Sequence, residues 1–169
     1  EGIELPSAIL AARLLILTGC RLNEIMTLQW THVDLAERVL RLPDSKSGAK
    51  IVHLGQPAVE LLRDAQRLDG NPWVIAGTLP GKRLSDLQPF WQRVRARAGV
   101  KDVRIHDLRH TFASTAVASG HGLPMIGKLL GHTQVQTTAR YAHLAAEPLK
   151  LAANDVSAAL AAGLNPPVG

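Results

Sequence analysis

The chain has 169 residues, a length that suits one domain, and a chain of that size buries roughly 70% of its unfolded surface. Its 19 Lys and Arg residues outnumber the 14 Asp and Glu residues, so the formal net charge is +5. This excess favours a polyanionic partner and leaves nucleic acid and a membrane surface both open. A spanning helix needs about 18 apolar residues, and Arg13 interrupts the most apolar stretch, residues 8–17, so a membrane protein is not expected.

Cysteine content and the start of the chain bear on its compartment. The single cysteine, Cys20, cannot form an internal disulfide, and nothing at the N-terminus resembles a cleaved signal, which together favour a reducing cytoplasm. The chain begins at Glu1 without an initiator Met and enters helical sequence almost at once. This beginning is compatible with a piece of a longer protein.

The first half of the chain predicts two helices followed by a small sheet. Apolar residues at helical spacing predict helices over residues 9–17 and 23–30, with Gly19 as the stop between them. Two runs rich in β-formers are joined by a polar, Gly-containing stretch at residues 43–50, which predicts a hairpin. The hairpin strands are expected at residues 39–42 and 51–54, with a third strand at residues 73–75.

The second half predicts helices over residues 58–68, 84–98, 107–119 and 123–130, with Gly120 and Gly131 as C-terminal stops. Thr133 and Gln136 have capping-box spacing, so a new helix is expected to carry Tyr141 two turns later. Pro148 is expected to break the chain before a last amphipathic helix that Gly163 ends. Its apolar stripe comprises Leu149, Ala152, Ala153, Val156 and Leu160.

These elements predict a mainly α fold with a small antiparallel β-sheet, an α+β arrangement. We expect one catalytic domain over residues 1–169. Within it, residues 1–146 form the core, residues 147–163 the C-terminal helix and residues 164–169 a frayed tail.

Residue types that phosphodiester chemistry uses occur in one order along the chain, and they are Arg21, Lys46, His106, Arg109, His132 and Tyr141. The short frames around them read TGCRLNE at residues 18–24, HDLRHT at 106–111, LGH at 130–132 and TARYAH at 138–143. Over about residues 9–144 these frames resemble the catalytic domain of tyrosine recombinases, the phage integrase family. The resemblance implies the tyrosine recombinase/integrase catalytic-domain fold. It also implies an enzyme that breaks and rejoins DNA strands.

The arginines suit the chemistry of a phosphodiester. Its pentacoordinate transition state carries additional negative charge on the non-bridging oxygens, which a cationic group must stabilise. The acidic residues are scattered with no ligand cluster, so no metal or other cofactor is expected. Arg21 and Arg109 each offer a planar fork that matches two phosphate oxygens, and both are predicted to clamp the phosphate.

Tyr141 is the predicted nucleophile and would form a phosphotyrosyl link that conserves the broken bond for religation without ATP. Only about one free tyrosine in a thousand is ionised at neutral pH, so a base or a positive pocket is needed. The resemblance implies that His106 is the base, Lys46 the acid for the departing 5′-oxygen, and His132 a hydrogen-bond donor to a non-bridging oxygen. Their neighbours Glu24, Asp107 and His110 are predicted to support them.

Three other functions stay open. His106 and His110 have the spacing of a helical zinc site, although Asp107 stands where zinc hydrolases carry Glu and Arg109 would repel a dication. A DNA-binding module that has lost catalysis would keep the fold without the reaction. A type IB topoisomerase would use nearly the same residues to relax DNA, and it is the main alternative to an integrase.

The resemblance also implies partners. These are double-stranded DNA, further copies of the chain in a tetramer on DNA, and accessory DNA-bending proteins, in a bacterial or phage setting. We expect this chain to lack the upstream core-binding domain usual in the family, and His53 stands where the family more often has Pro. Two placements of the C-terminal helix are open: docking into a neighbouring subunit, or packing on its own domain.

Overall fold

Helix α1, Pro6–Thr18, lies at the centre of the fold and packs against helices from both halves of the chain. The computed structural model describes residues 4–43, 48–132 and 136–164. Pro6 occupies the first turn of α1, where its missing N–H costs nothing, and Gly19 ends the helix in the left-handed region with φ 63°. The buried face of α1 is formed by Ala8, Ala11, Leu14 and Leu15.

The other elements follow in chain order and confirm the predicted mainly α fold with a small antiparallel sheet. The first half continues with α2 (Leu22–Met26), a 3-10 helix (Trp30–His32), β1 (Val33–Asp34), β2 (Val39–Leu42), β3 (Lys50–His53) and α3 (Gln56–Arg63). The second half contains α4 (Gln88–Ala98), α5 (Asp107–Ala118), α6 (Leu123–Leu130), α7 (Gln136–Ala139), a second 3-10 helix (Ala142–Ala145) and α8 (Ala146–Leu164).

The sheet contains the predicted hairpin of β2 and β3, but its third strand differs from the prediction. Strand order is β1-β2-β3, all antiparallel, with Leu42 paired to Lys50. The predicted strand at residues 73–75 is wrong, because the Trp73 N–H donates to the side-chain oxygen of Asn71 at 3.1 Å and Trp73 forms only an isolated bridge with Gln29. Strand β1 takes the third place in the sheet.

Two predicted helices are shorter in the structure because distant backbone groups take their hydrogen bonds. The helix predicted over residues 23–30 ends at Met26, since the Leu28 carbonyl accepts from the Val74 N–H and the Trp30 N–H donates to Pro72. The helix predicted over residues 84–98 begins only at Gln88, and the Leu84 N–H donates to the Ile75 carbonyl instead. Both segments are bound to the same extended stretch, residues 72–75. The helix predicted over residues 58–68 is found as α3, Gln56–Arg63, which begins and ends earlier than predicted.

The region around Tyr141 also differs from its prediction. Helix α7 ends at Ala139, and Tyr141 lies in the turn before the second 3-10 helix rather than within a helix. Thr133 of the expected capping box, like Lys46, lies outside the described residues. Pro148 does not break the chain but sits in the first turn of α8, where its nitrogen needs no intrahelical partner, and α8 continues through Gly163.

Helix α8 extends from the rest of the domain after its first turns. Its contacts with α5 and the second 3-10 helix lie near its start. Its large apolar side chains Leu149, Leu151, Val156 and Leu160 are 60–66% exposed. In the part of the chain that the structure describes, no helix has both the length and the apolar character needed to cross a membrane.

Two buried clusters form the core. The larger joins α1, α2, the sheet, α3 and α4, and the smaller consists of Ala113, Val117, Ile126, Leu130 and Tyr141. Gly19 lies where the two meet, and a Cβ on it would come within 2.6 Å of the Phe112 ring and 3.0 Å of Leu130. The turn after α1 therefore requires glycine for space as well as for its positive φ.

We expect Gly19→Ala to destabilise the protein more than Gly99→Ala. Gly99 caps α4 with a similar φ of 69°, but no atom lies within 4 Å of the place that its Cβ would take, so its substitution carries only the left-handed cost of about 1–2 kcal/mol. Gly19→Ala adds overpacking of about 1–3 kcal/mol. Urea unfolding of both variants measures the difference, and equal losses would show that Phe112 and Leu130 relax freely.

Candidate active site

A buried guanidinium, that of Arg109 on α5, connects two chain segments of the site. Its Nη1 donates to the Gly19 carbonyl at 2.5 Å and its Nη2 to the Leu130 carbonyl at 2.8 Å, and the residue is 5% exposed. Burial and the positive charge of Arg21 lower the pKa of Arg109, but an arginine stays protonated in proteins. Because Arg21 and His132 each follow a bonded carbonyl by two residues, Arg109 holds both segments beside itself.

Arg21 is the N-cap of α2 and is bound by Glu24. One carboxylate oxygen of Glu24 accepts from the Arg21 backbone N–H at 2.8 Å, and the other accepts from Arg21 Nη1 at 3.0 Å. Lys50 Nζ donates to the first of these oxygens at 2.7 Å. Burial alone would raise the pKa of Glu24, but the hydrogen bonds from Lys50 and Arg21 bring it below its ordinary value. Glu24 is therefore ionised and shared by two cations.

His132 follows directly after α6. Its backbone N–H donates to Gly127, and its Nδ1 lies 2.9 Å from the hydroxyl of Thr138. Burial, together with the positive charges of Arg109 and Arg21, lowers the pKa of His132 to about 4. At neutral pH the imidazole is therefore neutral and carries one ring N–H that can be donated.

The Tyr141 hydroxyl contacts His110 rather than His106. Its oxygen lies 2.6 Å from His110 Nδ1, and Tyr141 is 6% exposed. The His106 and His110 rings meet edge to face with centroids 5.0 Å apart. Burial raises the pKa of Tyr141, and the charges of Arg140 and Arg109 oppose that rise only partly. In this arrangement the phenol is protonated and held inside the domain.

The two histidines at the start of α5, His106 and His110, are both held in the neutral form. Burial lowers the pKa of His106, with further lowering from His110 and Arg109. Burial likewise lowers the pKa of His110, and the charge of Arg140 adds to the effect. A neutral imidazole near pH 7 has a free lone pair for a proton, which is what a general base requires.

The other predicted residues have simpler places. Asp107, the first residue of α5, accepts hydrogen bonds from the Arg104 backbone and guanidinium at 2.8 and 3.1 Å, which tie it to the turn before the helix rather than to the arginines of the site. Among residues 4–43, 48–132 and 136–164, no group of three or more His, Cys, Asp or Glu side chains is placed to hold a metal ion. His106 and His110, whose spacing suits a helical zinc site, therefore have no third metal ligand among these residues.

Comparison with known proteins assigns the family. Residues 5–147 match the family model described as "Phage integrase family". The chain belongs to the phage integrase family. Tyrosine recombinase XerD of Pasteurella multocida is 32% identical over 149 residues, covering 81% of this chain and 50% of that protein. XerD of Haemophilus influenzae is 33% identical with the same coverage. This integrase-family chain thus spans about half the length of these relatives.

Solved structures agree with that family's fold. The catalytic domain of bacteriophage HP1 integrase superposes with a TM-score of 0.63 at 25% identity, covering 86% of this chain and 79% of that one. The Tn1549 transposon integrase in complex with transposon right end DNA has a TM-score of 0.72 at 14% identity, covering 89% and 59% of the two chains. The likeness to the Tn1549 protein is one of fold.

Two side chains of this phage integrase family site were not singled out from the sequence. Thr138 is buried beside Gly127, where a Cβ would lie 3.0 Å from its hydroxyl, and it contacts His132. Lys50 stands at the start of β3, 26 residues from its partner Glu24. Thr138 belongs to the TARYAH frame, so its position was visible as a motif residue, whereas nothing local to Lys50 indicates a carboxylate partner.

The depressed pKa of His132 predicts acid sensitivity. The folded pKa of about 4 lies below the ordinary 6.5, so between these values the unfolded chain binds more protons and the free energy of unfolding falls as pH is lowered. We expect His132→Gln to lose less stability on acidification than the native protein, as measured by urea unfolding at several pH values. His106 and His110 act in the same direction and are present in both proteins. An NMR pKa near 6.5 for His132 would contradict this prediction.

Proposed function

We propose that this chain is the catalytic domain of a site-specific DNA recombinase that cleaves and rejoins DNA through Tyr141. The supporting observation is the position of Arg109, which binds the segments that carry Arg21 and His132 and is electrostatically coupled to Tyr141. One buried cation thus binds both chain segments that carry the proposed phosphate-binding groups. The XerD relatives are named tyrosine recombinases, and the Tn1549 integrase is solved with DNA.

The two arginines act on the non-bridging oxygens of the scissile phosphate. Guanidinium forks match two oxygens at once, and their charge opposes the negative charge that grows in the transition state. His132 adds a hydrogen bond from its neutral ring, held in place by Thr138. Glu24 orients Arg21 through both its backbone and its side chain. These groups stabilise the reacting phosphate without entering a covalent bond.

Tyr141 is the nucleophile of the proposed reaction. Its oxygen forms a bond to phosphorus, the bond from phosphorus to the 5′-oxygen breaks, and the DNA 3′ end stays on the enzyme as a phosphotyrosine. The phenol proton goes to an imidazole. His110 is the nearer acceptor in the free protein at 2.6 Å, while the assignment of this role to His106 stays a prediction. The reverse step restores the DNA bond without ATP.

The departing 5′-oxygen needs a proton, because an alkoxide is a poor leaving group. Lys46 is the proposed donor, from the segment that joins β2 and β3. Asp107 contributes indirectly by holding the start of α5, which carries His110 and Arg109 and directly follows His106. The proposed reaction uses only side chains of the protein and needs neither a metal nor a nucleotide.

The partners of this function are double-stranded DNA and further copies of the chain. The excess of positive charge suits phosphate contacts that weaken with salt. The exposed apolar stripe of α8 supports docking into a neighbouring subunit, since its own domain leaves these side chains uncovered. A tetramer on DNA, assisted by DNA-bending proteins, is the assembly we propose.

We expect native protein to form an SDS-resistant adduct with nicked duplex DNA at low salt and Tyr141→Phe to form none, because the variant keeps the ring and lacks the nucleophile. The adduct should persist in EDTA. Gel electrophoresis of 5′-labelled and 3′-labelled duplexes measures the adduct and shows which strand end is bound.

The controls separate a failed substrate from a failed mechanism. If no adduct forms, the same duplexes are tested with a longer protein that includes upstream residues, since this chain spans about half of its XerD relatives. Adducts that survive in Tyr141→Phe would contradict the proposal. Relaxation of supercoiled plasmid without exchange between two duplexes would instead favour the topoisomerase alternative.

Deletion of the residues after Ala146 should leave DNA binding within about threefold of native affinity and weaken assembly on DNA, because the apolar stripe that is removed lies mostly uncovered on its own domain. Analytical ultracentrifugation with duplex DNA measures the assembly. Replacing exposed Lys150 by Ala tests the effect of charge loss on the same helix. Unchanged assembly after the deletion would rule out exchange of α8.

A further inference from the structure

Lys50 contacts the site from the sheet. It is the first residue of β3, pairs with Leu42 across the hairpin, and its side chain is only 10% exposed. Its ammonium lies 2.7 Å from a Glu24 oxygen, and the Glu24 side chain is 4% exposed. Lysines at the base of a hairpin are usually solvated, so the burial of this ion pair needs a reason.

Charge balance supplies one reason. Glu24 binds Arg21 through two hydrogen bonds, and by itself this pair would be neutral. Lys50 adds a second cation, so the Arg21–Glu24–Lys50 cluster carries a net positive charge. A clamp for a phosphate must keep that charge, because a guanidinium neutralised by a buried carboxylate attracts an anion weakly.

Position supplies a second reason. A Cβ on Gly131 would lie 3.0 Å from Lys50 Cδ, so the aliphatic part of Lys50 lies against the turn that precedes His132. Lys50 thus contacts the first turn of α2 through Glu24 and the end of α6 through Gly131. The same residue begins the strand that follows the segment containing Lys46. Two separate parts of the site, α2 and the turn after α6, thus meet at this one side chain.

We infer that Lys50 is a positioning residue that neutralises Glu24, so that Arg21 keeps its positive charge for the phosphate while the hairpin stays fixed against α2 and α6. The inference rests on the proposed role of Arg21 as a phosphate clamp. Lys50 does not touch the reacting atoms. The lower pKa of Glu24, to which Lys50 contributes a hydrogen bond, agrees with a carboxylate that is ionised between two cations.

The kinetic test compares Lys50→Met, Lys50→Arg and Lys50→Met combined with Glu24→Gln. Exposed Lys101→Met is the matched control. We expect Lys50→Met to slow adduct formation about 100-fold through loss of orientation and charge, and Lys50→Arg to stay within about tenfold of native. The double variant should recover at least about tenfold over Lys50→Met, because removing the Glu24 charge restores the net charge of the cluster.

A second substrate separates positioning from proton donation. A duplex with sulfur at the bridging 5′ position has a leaving group that needs no protonation. It should restore the rate of a variant that lacks the acid, here Lys46→Met, and leave Lys50→Met slow. Rescue of Lys50→Met by sulfur would overturn the inference and make Lys50 the acid. Failure of the double variant to recover, with thermal unfolding unchanged, would overturn the charge argument.

An equilibrium test does not depend on catalysis. Inorganic phosphate is titrated onto the protein while the side-chain N–H resonance of Arg21 is followed by NMR. We expect binding to be about tenfold weaker in Lys50→Met and to recover in the double variant. Equal affinities, or no response of Arg21 in native protein, would overturn the inference. If these affinities follow expectation but no adduct forms, the proposed function fails while the role of Lys50 stands.

Discussion

The buried guanidinium of Arg109 is the interaction on which the rest of the site depends. Its two hydrogen bonds end at the carbonyls of Gly19 and Leu130, which close helices α1 and α6. The last carbonyls of a helix lack intrahelical partners and form the negative end of the helix dipole. Two such ends facing one cation offset the cost of removing it from water.

This arrangement also explains why glycine follows both helices. Gly19 and Gly131 adopt left-handed φ values of 63° and 67°, so each chain turns sharply after the helix ends. The turns bring Arg21 and His132, which lie far apart in the sequence, beside the Arg109 guanidinium. A side chain at Gly19 would meet Phe112, and one at Gly131 would meet Lys50. Close packing of backbone against side chain is therefore part of how the site is built.

Positive charge in a partly buried place shapes the remaining groups. Burial together with this charge lowers the pKa of His132 and keeps it neutral. The charge also keeps Glu24 ionised and partly opposes the effect of burial on the pKa of Tyr141. Tyr141 nevertheless stays protonated, packed in the smaller core cluster and bonded to His110. The free protein thus holds its proposed nucleophile buried and protonated. The phosphate of a bound substrate would bring a negative charge that changes this electrostatic balance.

Local sequence determined the elements whose hydrogen bonds are local. The strand at residues 39–42, the helix at 123–130 and the stop at Gly131 were predicted correctly, because pattern and glycine position suffice for them. Helix 23–30 was predicted too long and strand 73–75 was predicted wrongly, because residues 28–30 and 72–74 form hydrogen bonds with each other across the fold.

The frames around Arg21, Arg109, His132 and Tyr141 likewise named the candidate residues, since the order and spacing of residue types are properties of the sequence. Only the tertiary structure decided their partners. Arg109 binds Gly19 across 90 residues, Tyr141 meets His110 across 31, and Lys50 meets Glu24 across 26. No local pattern encodes such contacts, because they depend on how α1, α5, α6 and the hairpin pack together.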